Sequence, residues 1–379
     1  MKGLESVTCN ICGRDDALLY SAGGGKIYGM LEEFNLVRCR NCGLFYINPR
    51  PTRDSIKRYY PLDYPEYRLA TVQTITDYLT RHAFKYRIVL KILATYYGYQ
   101  FSKSAIRKGF FDKIAFIDKA SNDRESEDAM KRHSFYHFIR RFIYFPLFFI
   151  FNRFFPYIPR FKRDGNFLDV GCGRGVYLYL LKTWGWNAYA VEPSKETAEN
   201  VINNLGVDVF NGVLEESNFK DNFFDVVNLN HVLEHVHDPT AILQTISRIL
   251  KEDGLLMIRV PNAWSLPGYI IGKKLAMVED LPRHLFVFDR ITIRRLLQKA
   301  KFEIINIRFD PLPRTITGCY KFLLPRNSLG FLVYERLEKI VAPILACCFF
   351  LTSVLPIGNS MTIWARKRLG DHSGVSLKI

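Results

Sequence analysis

The chain has 379 residues, 48% of them hydrophobic, and 53 Lys/Arg against 37 Asp/Glu give a formal net charge of +16. That length allows a buried core and two or three domains, and the apolar fraction excludes a disordered chain. The charge is uneven: residues 51–163 hold 22 Lys/Arg and 10 Asp/Glu, so this stretch suits an anionic membrane surface or nucleic acid.

Residues 1–7 have neither a basic cluster nor an apolar run, so no signal peptide is expected. Four of the eight cysteines then form two matching knuckles, Cys9-Asn10-Ile11-Cys12-Gly13 and Cys39-Arg40-Asn41-Cys42-Gly43. Each knuckle lets two thiolates converge, and the glycine after it permits a tight turn. Four thiolates complete a closed tetrahedral set suited to structural Zn2+, with no open position for catalysis. Residues 1–51 are therefore expected to be a zinc ribbon that is too short for a core of its own and folds on its metal. Such spacing points to metal binding in a reducing compartment and not to disulfides.

Residues 52–163 read as basic and helical, with a short helix from Asp54 to Tyr60 and a longer one from Val72 to Tyr97. Ser121 to Asp128 is polar and acidic, an exposed loop or helix start. The run Phe142-Ile-Tyr-Phe-Pro-Leu-Phe-Phe-Ile-Phe151 is flanked by Arg140, Arg141, Arg153, Arg160, Lys162 and Arg163. It is too short to span a bilayer. It fits an interfacial helix with rings at headgroup depth, or a buried helix packed on the next domain.

Residues 164–368 alternate strands and helices as a doubly wound α/β domain. Strands are expected at Asn166–Val170, Ala188–Val191, Phe224–Leu229 and Leu255–Val260, and helices at Val176–Thr183, Lys195–Asn204, Ala241–Leu250 and Arg290–Ala300. Phe302–Phe309 and Ser360–Arg366 form a final strand pair. Between them, residues 311–359 are a hydrophobic helical insertion that includes the uncharged run 340–357. If the flanking strands pair, that insertion is a hairpin that dips into an interface or packs on the protein. Residues 369–379 read as a flexible tail.

The chemistry centres on Phe167-Leu-Asp-Val-Gly-Cys-Gly-Arg-Gly175, a buried strand entering Gly-x-Gly-x-Gly and then a helix. The glycines let backbone approach a ligand where the helix N-terminus offers free N–H groups. A dinucleotide fingerprint would place its third glycine one residue later, which speaks against an oxidoreductase. The tighter spacing suits a nucleoside with an amino-acid tail. Glu192 ends the next strand, 17 residues after Gly175, where a carboxylate can accept both ribose hydroxyls. Asp169, inside an apolar strand, needs a partner and either fixes the loop or meets the ligand's ammonium through water.

With FLDVGCGRG, AVEPS, FFDVVNLNHVLEHVHDP (Phe223–Pro239) and RHLFVFD (Arg283–Asp289), residues 167–309 resemble the class I S-adenosylmethionine-dependent methyltransferases. The leader CNICG…CRNCGLFYINPRPT with RYYPLDY resembles the zinc ribbon that some bacterial members carry. The resemblance implies a Rossmann-like sheet with helices on both faces. It implies that Asp169, Gly171, Cys172, Gly173 and Gly175 line the methionine and ribose side of S-adenosylmethionine, and that Glu192 holds the ribose. Val213, Leu214 and Glu215 would border the adenine, and Asn230 and His231 would stand near the methyl group. Glu234-His235 would order a loop over the site. A hydroxyl acceptor also wants a base, for which His284 and His231 are the candidates; either is equally a hydrogen-bonded loop residue.

The leading expectation is a methyltransferase at the cytoplasmic face of the membrane, held on anionic lipid through 140–163 and 340–357. Its acceptor would be a small molecule or glycolipid, a sugar or lipid-linked envelope intermediate. A nucleic-acid methyltransferase and a non-catalytic scaffold are the alternatives. Against nucleic acid stand the long Phe runs and the lack of Asn/Asp-Pro-Pro-Tyr after the fourth strand.

Overall fold

The computed structural model describes residues 3–23, 32–60, 70–101, 141–142, 144–149, 151–152, 157–271, 280–310 and 355–368. The chain forms two compact units, one of Met1–Tyr64 with Leu214–Ile379 and the other of Pro65–Val213.

The first unit begins with β1 (Leu4–Glu5), β2 (Ala17–Gly23), β3 (Phe34–Cys39), β4 (Phe45–Ile47) and β5 (Arg50–Pro51). β2, β3 and β4 form an antiparallel meander, and β1 pairs with β5. Both knuckles close as their spacing predicts. The Gly13 N–H donates to Cys9 O at 2.7 Å and the Gly43 N–H to Cys39 O at 3.0 Å. Both glycines take positive φ, 72° and 81°, where other residues are disfavoured. The short helix predicted at 54–60 is a 3-10 turn, Ile56–Tyr59.

The second unit carries α1 (Val72–Arg81) and α2 (Ala83–Tyr96) where periodicity predicts one helix. The break falls at His82, whose φ of −110° and ψ of 25° leave the helical region. Residues 141–142, 144–149 and 151–152 are helical, and Phe148 stacks on Tyr96 with centroids 4.0 Å apart. Then come β6 (Asn166–Val170), α3 (Val176–Thr183), β7 (Asn187–Glu192), α4 (Lys195–Leu205) and β8 (Asp208–Asn211). The three strands are parallel with β7 in the middle, so α3 and α4 are crossover helices of βαβ units. Two indole–phenol hydrogen bonds, Trp184 to Tyr86 and Trp186 to Tyr99, tie the helical region to this sheet.

The first unit resumes with β9 (Phe224–Asn230), α5 (Pro239–Ile249), β10 (Leu250–Pro261), α6 (Leu266–Ile271), β11 (Phe286–Val287), α7 (Arg290–Lys299), β12 (Phe302–Phe309) and β13 (Ser360–Lys367). β9 and β10 are parallel, while β13 lies antiparallel between β10 and β12. Asp238 caps α5, with Pro239 in its first turn, and Asp289 caps α7 in a capping box. The fold is thus the expected α/β class, with parallel strands and crossover helices.

The pairing of β12 with β13, on which the hairpin reading of the insertion depends, is present. Residues 311–354, the loop at 121–128 and the tail lie outside the described residues. Among the described residues no helix is long and apolar enough to cross a membrane.

One pairing joins distant parts of the first unit. β11 adds to β4, with Phe286 opposite Tyr46 and Val287 opposite Phe45. β4 is wholly buried, and Phe45 meets Trp264 edge-on at 5.9 Å. The cysteine segment therefore shares an apolar core with residues past 260 and does not rest on metal alone.

Candidate active site

The glycine loop belongs to the second unit. β6 delivers Asp169 and Val170 to Gly171, and Gly171, Gly173 and Gly175 take φ of 68°, 50° and 68°. A side chain at any of them would strain the backbone. At Gly175 a Cβ would also lie 2.9 Å from Val201 on α4, so this glycine sets how closely loop and helix pack. Gly175 caps α3 without a side-chain hydrogen bond, leaving the first turn's N–H groups to a ligand.

Glu192 closes the loop from the end of β7. It is buried, and its Oε2 accepts from the Gly173 N–H and its Oε1 from the Ser194 N–H, each at 3.0 Å. Both bonds orient the carboxylate. Asp169 is buried as well. Burial, together with the Asp169 and Glu192 carboxylates, pushes the Cys172 thiol up. Cys172 is thus an uncharged loop residue in a locally negative setting that favours a cationic ligand. Val213 follows the β7–β8 crossover, just after the Gly212 N–H donates to Glu192 O at 3.1 Å. The structure thus brings Asp169, Gly171, Cys172, Gly173, Gly175 and Glu192 together.

The other sequence-predicted residues lie in the first unit. Leu214 is buried in the 3-10 turn Leu214–Glu216, and Glu215 is half-buried beside it. Asn230 ends β9 with its Oδ1 buried and without a hydrogen-bond partner among the described residues. His231 takes φ of 58°, uncommon for a residue with a side chain. Its Nδ1 lies 3.1 Å from Glu234 Oε1, and its ring is 38% exposed against 0% for Glu234.

Around Glu234 the chain assembles a polar cluster that the sequence shows only in fragments. His235 and His284 pack edge to face with centroids 4.7 Å apart. His235 Nδ1 lies 3.0 Å from Arg283 O and 3.2 Å from the Tyr60 hydroxyl. His284 Nε2 lies 3.1 Å from Asp280 Oδ2, and Arg283 pairs with the same carboxylate. The Leu285 and Phe286 N–H groups donate to Glu234 O at 2.8 and 3.2 Å, which holds residues 283–286 against the turn after β9. Burial alone would raise the Glu234 carboxyl, but the His231 hydrogen bond and the neighbouring imidazoles outweigh it and bring it to about 2. Burial pushes His235 down to about 4, with His284 adding to the shift. Burial, opposed by Glu234, likewise holds His284 at about 4. The cluster is therefore an ionised carboxylate beside two neutral imidazoles.

The sequence offers His231 and His284 only as candidate bases and does not single out Tyr60, Asp280 or Arg283. Tyr60 and Arg283 lie in the RYYPLDY and RHLFVFD motifs, and Asp280 is four residues before His284, so adjacency to those motifs was the available signal.

The four cysteines form a third group. The Cys9–Cys42 and Cys12–Cys39 sulfurs are 3.3 and 3.6 Å apart, and all four lie within 4.8 Å of one another. Four thiolates about 2.3 Å from a tetrahedral ion stand roughly 3.8 Å apart, so the group fits that geometry. Cys9, Cys39 and Cys42 are buried.

A family profile described as a methyltransferase domain matches residues 137–307, the stretch that holds the glycine loop, Glu192, His231 and His284. Residues 137–307 are thus similar to methyltransferase domains. Among curated relatives, a ubiquinone biosynthesis O-methyltransferase of Glaesserella parasuis is 29% identical over 40% of this chain and 74% of its own length. Another from Caulobacter sp. is 30% identical over 28% of this chain and 48% of its own. A solved SAM-dependent methyltransferase from Archaeoglobus fulgidus is 21% identical, with 61% of this chain and all of that one covered and a TM-score of 0.39. The profile match thus covers the loop and Glu192, whereas the cysteine leader lies outside it.

Proposed function

We propose that this chain transfers the methyl group of S-adenosylmethionine to a hydroxyl of a sugar or lipid-linked envelope intermediate at the cytoplasmic membrane face. The observation that carries the reading is the glycine loop closed on Glu192. Backbone that no side chain obstructs, buried carboxylates and an uncapped helix start suit a cationic nucleoside with an amino-acid tail. Asp169, Gly171, Gly173, Gly175 and Glu192 would hold the cofactor, with Val213, Leu214 and Glu215 at its adenine. When bound, it supplies an activated methyl group, so the protein's main task is orientation.

A hydroxyl acceptor must lose a proton, and His231 suits that step better than His284. With its Nδ1–H donating to Glu234, His231 keeps a lone pair on Nε2 and a partly exposed ring. Asn230 stands next to it on the chain. An O-methyl acceptor accords with the names of the relatives above. Membrane contact is supported by the helical residues near 145, where Phe142 is 79% and Phe145 57% exposed beside Arg141. Cys9, Cys12, Cys39 and Cys42 would hold a structural zinc.

The test is incubation of the purified protein with methyl-labelled S-adenosylmethionine and membrane glycolipid extract or, separately, nucleic acid. Label in the lipid or glycan fraction, lost in His231→Gln, is the expected result. Label in nucleic acid would overturn the acceptor class, and cofactor binding with no turnover on any fraction would favour a scaffold.

A further inference from the structure

From the cluster around Glu234 we infer a second metal site, in which Glu234, His235 and His284 bind one divalent transition-metal ion. One nitrogen of each imidazole and one carboxylate oxygen lie within 4.8 Å of one another. Atoms each about 2.1 Å from one tetrahedral ion stand roughly 3.4 Å apart, so binding would draw the three together.

The partners of each side chain leave one atom free and orient it. His235 has Nδ1 against the Arg283 carbonyl, so an Nδ1–H donor there leaves the lone pair on Nε2. His284 has Nε2 against the Asp280 carboxylate, which leaves the lone pair on Nδ1. Glu234 uses Oε1 for His231, while its Oε2 is buried with no hydrogen-bond partner among the described residues. Metal-ligating histidines are usually fixed in this way, with the second ring nitrogen donating to a carbonyl or carboxylate.

Charge points the same way. Glu234 is fully buried, and a buried carboxylate with an unsatisfied oxygen is costly unless a cation meets it. Its ion-pair partner is His231, on the other carboxylate oxygen. Two imidazole nitrogens and one carboxylate are a donor set for Zn2+, Fe2+ or Co2+, which bind nitrogen, and a poor one for Mg2+ or Ca2+. Three protein ligands also leave coordination positions open, unlike the closed four-thiolate set of the knuckles. This site does not rest on the acceptor proposed above, and binding is read without turnover.

The experiment is titration of the full-length, metal-stripped protein with Co2+ alone, followed by its visible absorption and by equilibrium dialysis with metal analysis. Two equivalents are expected. One shows the intense thiolate-to-cobalt charge-transfer band of Cys9, Cys12, Cys39 and Cys42. The other shows only weak bands, as nitrogen and oxygen ligands give. His284→Ala should lose the second equivalent and keep the thiolate band, which reports that the ribbon is folded. Asp280→Asn should keep both equivalents and weaken the second about 10- to 100-fold, the usual effect of removing an outer partner of a ligating histidine. A wild-type protein that takes up one equivalent, all of it thiolate-bound, would overturn the inference. So would a second equivalent that persists unchanged in both His284→Ala and Glu234→Gln.

Discussion

The glycine loop and the Glu234 cluster are two polar sites built in opposite ways. The loop is made of backbone from one short stretch, and its one essential side chain, Glu192, arrives on the next strand of the same unit. The cluster is made of side chains from three distant segments: Tyr60, the turn after β9, and residues 280–284. A backbone site tolerates change in most side chains but not at its glycines. A side-chain site has loose backbone requirements and depends on each partner for orientation.

Four predictions press on that difference, the largest effect first. His231→Gln should lower kcat by about 10^2- to 10^4-fold, the usual worth of a positioned base, with cofactor affinity unchanged by calorimetry. Equal loss of affinity would mean that the two sites are not separable. Replacing Phe142 and Phe145 together by Ser should remove most binding to anionic vesicles in a sedimentation assay and leave the thermal melt in place. Loss of stability instead would show that the rings pack within the protein. Gly175→Ala, at φ of 68° and with Val201 2.9 Å from the new Cβ, should destabilise the protein by about 1–2 kcal/mol or more. A denaturant titration measures this, and an unchanged midpoint would contradict the loop's left-handed geometry. Asp238→Ala removes the cap of α5 and should cost about 1 kcal/mol with no change in cofactor affinity.

The same contrast explains what was legible in the sequence. Gly171, Gly173, Gly175 and Glu192 stand in contiguous motifs between strongly apolar strands, and β6 and α3 fall on the predicted residues. β12 is likewise where the pattern places it. β10 starts five residues before its predicted start, since Leu250 pairs with Phe224 ahead of a register irregularity. The break at His82 has no Gly or Pro to announce it, and apolar periodicity runs through it. β11 is two residues long and pairs with a strand some 240 residues earlier in the chain, so no local pattern encodes it. For the same reason Tyr60 and Asp280 could not be assigned to the cluster until the fold brought them there.

The cofactor loop is tested most directly by calorimetric titration of wild-type protein and Glu192→Ala with S-adenosylmethionine and its demethylated product. Micromolar binding of both ligands to the wild type is expected. In Glu192→Ala that binding should fall by about 100-fold, the loss of two charge-assisted hydrogen bonds. Absence of binding to a folded, zinc-loaded wild-type sample, or equal affinity in Glu192→Ala, would contradict the loop's assignment to the cofactor.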